Sequence, residues 1–164
     1  EIGDVKIKAI LITHGHQDHL LGFSEIRSGV GAVVGVGVED IDLLPTPPEL
    51  GLNDGAVIQC GNLNIKALST PGHTPGSTCF LVGKHLFSGD TLFPGGPGKS
   101  RSPEAFRQEI DSITKKLLVL PDDTAVYPGH GNDTTIGNAR EQYQSFASRP
   151  HPDDLYGDVS WLES

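Results

Sequence analysis

The sequence predicts a mixed α/β (α+β) fold, and three observations carry that expectation. Short runs of β-formers alternate with amphipathic helical segments along the chain. The runs end in loops punctuated by Gly and Pro, and those loops hold residue types that bind metals. A strand is expected at 5–12, where Ala9-Ile10-Leu11-Ile12 leads into His14-Gly15-His16-Gln17-Asp18-His19. A helix near 18–27 then starts at those polar side chains. The Val-rich run at 30–38 reads as strand; its glycines open no helix, so it is not a phosphate-binding fingerprint. An acidic, Pro-rich connection occupies 39–55. Strands near 56–60 and 63–68 are joined through Gly61-Asn62, and strands at 78–82 and 85–88 follow. The clearest helix opens at Ser102-Pro103, an N-cap followed by Pro at the first helical position. It places Phe106, Ile110, Ile113 and Leu117 on one face, the pattern of a core-packing stripe. A strand at 124–127 and a helix near 136–146 precede a tail whose Leu155, Tyr156, Val159 and Trp161 are expected to dock against the body or a neighbour. No repeat or low-complexity linker divides the chain, so one domain over 1–164 is expected.

Composition narrows the function. At 164 residues and 36% hydrophobic the chain can bury a core, and no stretch of eighteen apolar residues offers a membrane span. Twelve basic against 21 acidic residues give a formal charge of −9, which disfavours broad binding to nucleic acid or anionic membrane. A small-molecule partner is expected instead; the oligomeric state is not encoded in any feature. Cys60 and Cys79 lie in β-like runs and are expected to be reduced thiols, and no signal peptide is visible, so a cytoplasmic location is expected. The chain begins at Glu1 and holds no Met, so it is expected to be a fragment or processed product, incomplete at its N-terminus.

The chemistry concentrates in four loops. His14, His16, Asp18 and His19 place four metal-ligand side chains within six residues, and neutral imidazoles with a carboxylate suit zinc, iron or manganese. Three later segments each set one ligand-type residue in Gly/Pro punctuation: His73 in Pro71–Gly76, Asp90 in Phe87–Thr91, and His130 in Tyr127–Gly131. Asp90 and His130 follow short β-like runs, and strand ends converging at one sheet edge can bring distant residues together. His85, in a hairpin around Gly83-Lys84, and His151, in a Pro-rich tail, are expected at the surface. Asp122-Asp123 and Asp153-Asp154 read as turn and surface carboxylates.

The order H-x-H-x-D-H, then a lone His, an Asp and a last His, from His14 to His130, resembles the metallo-β-lactamase-fold hydrolase superfamily. The resemblance implies an αββα sandwich of two similar halves, with opening strands that precede the first His; only 13 residues precede His14 here. It also implies two divalent ions, zinc foremost, with iron or manganese as alternatives. His14, His16 and His73 would hold one, Asp18, His19 and His130 the other, and Asp90 would bridge them. Such a pair lowers the pKa of a water and polarises the carbonyl or phosphoryl it attacks. Asp18 and Asp90 would be catalytic, Asp18 by orienting the water or carrying a proton. An Asp at position 90, where several β-lactamases have Cys or Ser, resembles the thioester hydrolases, nucleases and lactonases. His16 stands where flavodiiron oxidoreductases of this fold have Glu.

The stretch Gly89–Lys99 is similar to the glyoxalase II family, hydroxyacylglutathione hydrolases, whose lysine binds glutathione. Lys99 matches by position and would pair with a substrate carboxylate. Ser100 and Arg101 stand where that family has aromatic residues, so Arg101 is expected as a second cation and the carrier as an acidic thiol other than glutathione. Only 34 residues follow His130, against a longer helical domain in glyoxalase II proper. With Pro128–Gly137 and Glu141, the chain resembles the shorter glyoxalase II-like hydrolases. The implied activity is thioester hydrolysis. The alternatives are a mononuclear iron persulfide dioxygenase, a lactonase or phosphodiesterase, and a non-catalytic metal-binding scaffold subunit, a kind that has usually lost ligands; all seven are present here.

Overall fold

The protein is described from a computed structural model over residues 6–163. The first strand, β1 (Ala9–Ile12), is shorter than the expected 5–12, whose first residue lies outside the described region. It pairs in parallel with β2 (Val33–Gly37), and β2 pairs in parallel with β3 (Leu50–Leu52), giving a three-stranded sheet. The β2 pattern explains the Gly/Val run. Val34 and Val36 are fully buried on one face, against Leu20 and Phe23. On the other face Gly35 lets the sheet close, since a Cβ there would sit 3.1 Å from Leu11 and 3.3 Å from Leu52.

The second sheet has six strands in the order β11-β10-β7-β6-β5-β4. These are β4 (Val57–Cys60), β5 (Leu63–Ser69), β6 (Thr78–Val82), β7 (His85–Gly89), β10 (Ala125–Pro128) and β11 (Thr134–Thr135). The hairpins at Gly61 and Gly83 turn on glycines with φ of 59° and 58°, the left-handed conformation that lacks a penalty only for Gly. A small ribbon, β8 (Leu92–Phe93) with β9 (Gly96–Pro97), stands apart.

Four layers result. The helix α1 (Phe23–Val30) covers the first sheet. Leu52 and Leu11 of the first sheet meet Ala67 and Phe80 of the second. Outside the second sheet lie α2 (Pro103–Ser112), which continues as a wider π-helical turn over Ile113–Leu117, and α3 (Ile136–Ala147). Ser102 caps α2 by accepting from the Ala105 N–H, and Phe106, Ile113 and Leu117 are buried as their spacing predicts. Among the described residues no helix is long and apolar enough to cross a membrane.

Several local expectations shift. The helix expected near 18–27 is a 3₁₀ turn at Gln17–Leu20 followed by α1, and the connection at 39–55 contains a 3₁₀ turn, Val38–Leu43, and β3. His151 is not a surface residue: it is half-buried, stacked on Phe146 at 3.8 Å and bonded to the Phe146 carbonyl at 2.7 Å. Both cysteines are free, Cys79 fully buried and Cys60 half-buried. The tail folds back onto the body. Val159 and Trp161 enter the main core while Tyr156 stays exposed.

Trp161 is fully buried, with ring centroids 5.3 Å from Tyr143 and 6.3 Å from Phe146 on α3. Truncating a buried aromatic removes its transfer energy and leaves a cavity, so Trp161→Ala should cost about 3–5 kcal/mol. Urea denaturation measures this directly. A loss below about 1 kcal/mol would mean the tail is not part of the cooperative core.

Candidate metal centre

Strand direction gathers the site. β5 and β7 are both antiparallel to β6, and β10 runs parallel to β7, so β5, β7 and β10 end at the same edge. The residues just past those ends are Thr70–His73, Asp90 and His130. The end of β1 is tied to this edge from the other sheet by the Thr78 N–H, which donates to the Thr13 carbonyl at 2.8 Å. His14 is the next residue. Four loops from both sheets therefore meet at one place.

All seven candidate residues converge there. His16 Nδ1 and His73 Nε2 lie 2.9 Å apart, and the His14 ring sits 4.9 Å and 4.8 Å from theirs. On the outer side His130 Nε2 is 3.1 Å from both His19 Nε2 and Asp18 Oδ2. Asp90 stands between the two groups: Oδ1 is 3.3 Å from His19 Nε2, and Oδ2 is 3.7 Å from His73 Nε2 and 3.6 Å from His130 Nε2. Ligand atoms of His14/His16/His73, of His14/His19/Asp90 and of Asp18/His19/His130 each lie within 4.8 Å of one another. Gly129 makes room for this packing, because a Cβ there would strike Asp90 Oδ1 and His19.

The donor set suits a cation. His14 Nε2 and Asp90 Oδ1 are buried without a hydrogen-bond partner, a costly state that a bound ion relieves. Burial, followed by repulsion from His19, His73 and His16, pushes His14 down to about 3, so its imidazole is neutral, the ligating form. Thr13 Oγ1 lies 3.2 Å from His14 Nδ1, which leaves Nε2 as the free nitrogen when Nδ1 carries the proton. His73 is likewise held below its ordinary value by burial, and its Nδ1 meets the Lys99 carbonyl at 2.9 Å, freeing Nε2 for the site. Burial works against ionisation of Asp18, yet its own backbone N–H and the nearby His19 and His130 hold the carboxyl below the usual range.

Two clefts open on the centre. One, of about 680 Å³, is lined by His73, Asp90, His130, Pro94–Lys99 and the tail residues Asp158–Ser160, Leu162 and Glu163. The other, of about 490 Å³, is lined by His16, His73, Leu43, Pro75, Ala105, Gln108 and Arg101. Lys99 borders the first and Arg101 the second. Ser100 divides them: it is buried and bonded to Gly157 through both its N–H and its hydroxyl. Lys99 and Arg101, the two cations expected from the sequence, thus border different clefts. Arg101 Nη2 lies 2.9 Å from His16 Nε2.

Two buried carboxyl residues escape sequence reasoning. Asp40 bonds the His14–His16 loop and the His73 loop, and Glu109 on α2 accepts from the Gly98 N–H at 3.1 Å. Neither lies in a ligand motif. Their partners are mostly backbone N–H groups, and the one available signal was the glycines at positions 15, 76 and 98, which admit close approach.

Two sheets back to back, helices outside and seven donors at one edge define an αββα metal-site fold. Residues 1–130 match the Metallo-beta-lactamase superfamily, and the chain belongs to it. The chain is 34% identical over 158 residues to hydroxyacylglutathione hydrolase GloC of Haemophilus influenzae, covering 84% of this chain and 74% of that protein. Among solved structures it is similar to ETHE1 from Myxococcus xanthus (TM-score 0.76, 29% identity, 90% of this chain and 66% of that one). It is also similar to the BLEG-1 B3 metallo-beta-lactamase (TM-score 0.73, 29% identity, 84% and 76%).

Glu109 supplies a test of the buried wall. Its Oε2 has no partner, and burial pushes the carboxyl up to about 9 from 4.5, with the Gly98 N–H opposing and Asp90 adding. The folded state keeps a proton that the unfolded chain releases near 4.5, so stability from this group falls as pH rises from about 4.5 to about 9. Glu109→Gln stays neutral throughout. In metal-free protein it should gain about 2–4 kcal/mol over wild type at pH 7.5 and little at pH 4.5. Chemical denaturation at both pH values checks this, and an equal gain at the two would show that the carboxyl is not titrating upward.

Proposed function

We propose that this metallo-beta-lactamase superfamily hydrolase cleaves a thioester or similarly activated ester at a dinuclear centre. The observation that carries the reading is the pair of ligand groups with Asp90 between them, at the mouth of a cleft that Lys99 borders. His14, His16 and His73 would hold one ion and Asp18, His19 and His130 the second, with Asp90 shared. Zinc fits this imidazole-rich set best, with iron or manganese as alternatives. Bound there, two divalent ions supply the Lewis acidity that makes water nucleophilic near neutral pH and polarises the scissile carbonyl.

The chain's own residues do the rest. Asp18, half-exposed and 3.1 Å from His130, orients the attacking water and accepts its proton. Lys99 lies at the cleft wall and pairs with a carboxylate of the thiol carrier as a point charge. Arg101, across Ser100 in the second cleft, is a second cation for an acidic carrier. The similarity to GloC supports a small-molecule thioester. Nothing about the charge of −9 favours nucleic acid, and a cytoplasmic setting goes with this substrate class.

The likeness to ETHE1 favours one second reading, a mononuclear iron persulfide dioxygenase. A panel of thioesters, lactones, phosphodiesters and a β-lactam, run with an oxygen electrode on metal-loaded protein, separates these. Thioester cleavage without oxygen uptake is expected. Oxygen consumption with a persulfide and one bound iron would replace the hydrolase reading.

Asp90→Asn removes the anion shared by both groups. Sites left with neutral imidazoles lose affinity, so metal content should fall from two ions towards one and hydrolysis should fall at least 10²-fold, as order of magnitude. Metal analysis and kcat are the readouts. Retention of two ions with full activity would rule out sharing.

Lys99→Ala tests recognition. A contact made equally in ground and transition states changes KM more than kcat, so KM for a carboxylate-bearing thioester should rise on the order of 10-fold while a small uncharged thioester is little affected. Equal losses on both substrates would remove Lys99 from recognition.

A further inference from the structure

The inner ligand group draws on two loops from different sheets: His14 and His16 follow β1, and His73 follows β5. Their spacing decides whether His16 Nδ1 and His73 Nε2 stay within ligating distance of a common point. One side chain spans the gap. Asp40 lies in the 3₁₀ turn Val38–Leu43 and is fully buried. Its Oδ2 accepts from the Gly15 N–H at 2.9 Å and from the Thr74 hydroxyl at 2.7 Å, while Oδ1 accepts from the Gly76 N–H at 2.7 Å. Gly15 sits between His14 and His16, and Thr74 directly follows His73. The fit is tight, since a Cβ on Gly76 would come within 2.6 Å of the Asp40 carboxyl.

We propose that Asp40 is the positioning residue of the metal centre, a buried carboxylate that fixes the distance between the His14–His16 loop and the His73 loop and thereby sets affinity for the inner ion. This rests on reading the seven donors as a metal centre. A carboxylate is needed because all three partners donate and both oxygens are used. An amide has one oxygen and one NH₂ group, so either orientation turns a donor against a backbone N–H that cannot rotate away. Asp40 lines neither cleft, so its influence passes through the histidines alone.

The test compares wild type, Asp40→Asn and Thr74→Val, the last removing one of the three bonds at nearly constant shape. Zinc affinity is measured for each ion by competition with a chromogenic chelator, alongside thermal unfolding of the metal-free proteins and kcat and KM on the best thioester. Asp40→Asn is expected to weaken one ion by 10–100-fold, leave the other within a few-fold, and lower kcat with KM little changed. Thr74→Val should show the same pattern at a smaller size, and it carries the test if Asp40→Asn does not fold. Lower thermal stability with both zinc affinities intact would make Asp40 merely structural and overturn the inference. A wild type that binds two zinc ions, beside variants that bind them equally well, would sink this inference and spare the metal centre. A wild type that binds no zinc, iron or manganese would sink both.

Discussion

Five imidazoles and two carboxylates occupy one small space, and the rest of the structure is arranged around the cost of keeping them there. Like-charged or partly desolvated rings do not gather on their own. Burial and mutual repulsion push His14 down to about 3, so that ring is neutral at neutral pH. Two of the atoms at the centre, His14 Nε2 and Asp90 Oδ1, are buried without a hydrogen-bond partner. The scaffold must therefore hold each ring from behind. Thr13 does this for His14 and the Lys99 carbonyl for His73, each contact using the nitrogen that faces away from the centre.

The sheets supply the coarse placement and the loops the fine one. Parallel pairing of β7 with β10 makes Asp90 and His130 neighbours by register, with Phe87 opposite Tyr127. The buried hydroxyls of Thr70 and Thr91, 3.0 Å apart, join the segment leading to His73 to the one leaving Asp90. Glycine then works by absence. At Gly129 and Gly98 a side chain would collide with Asp90 or its backbone, so the loops close only because those positions carry no Cβ.

Much of this was legible in the sequence, for a physical reason. A ligand must be His, Asp, Glu or Cys, and a strand must end before its loop can turn, so ligand types in Gly/Pro punctuation after β-like runs mark the site. The Phe106–Leu117 stripe and the Ser102 cap were equally plain, because period and capping are local properties. What escaped depends on partners that any residue offers. Asp40 and Glu109 bind backbone N–H groups, and an acidic residue in an acidic connection gives no sign of being buried. β3 also escaped, since Leu50-Gly51-Leu52 is too short to show a period and exists as a strand only because β2 lies beside it.

The relation of Lys99 to Arg101 shows the limit most sharply. In sequence they are two cations flanking a serine, and proximity argues for one shared anion. In space the course of the loop decides. A regular extended chain would put Lys99 and Arg101, two residues apart, on one side and Ser100 on the other, so the loop here departs from that alternation while Ser100 stays buried against Gly157. Lys99 and Arg101 are left facing different clefts, both of which reach His73. The fold of the loop, rather than the order of its residues, thus sets which cleft each cation borders.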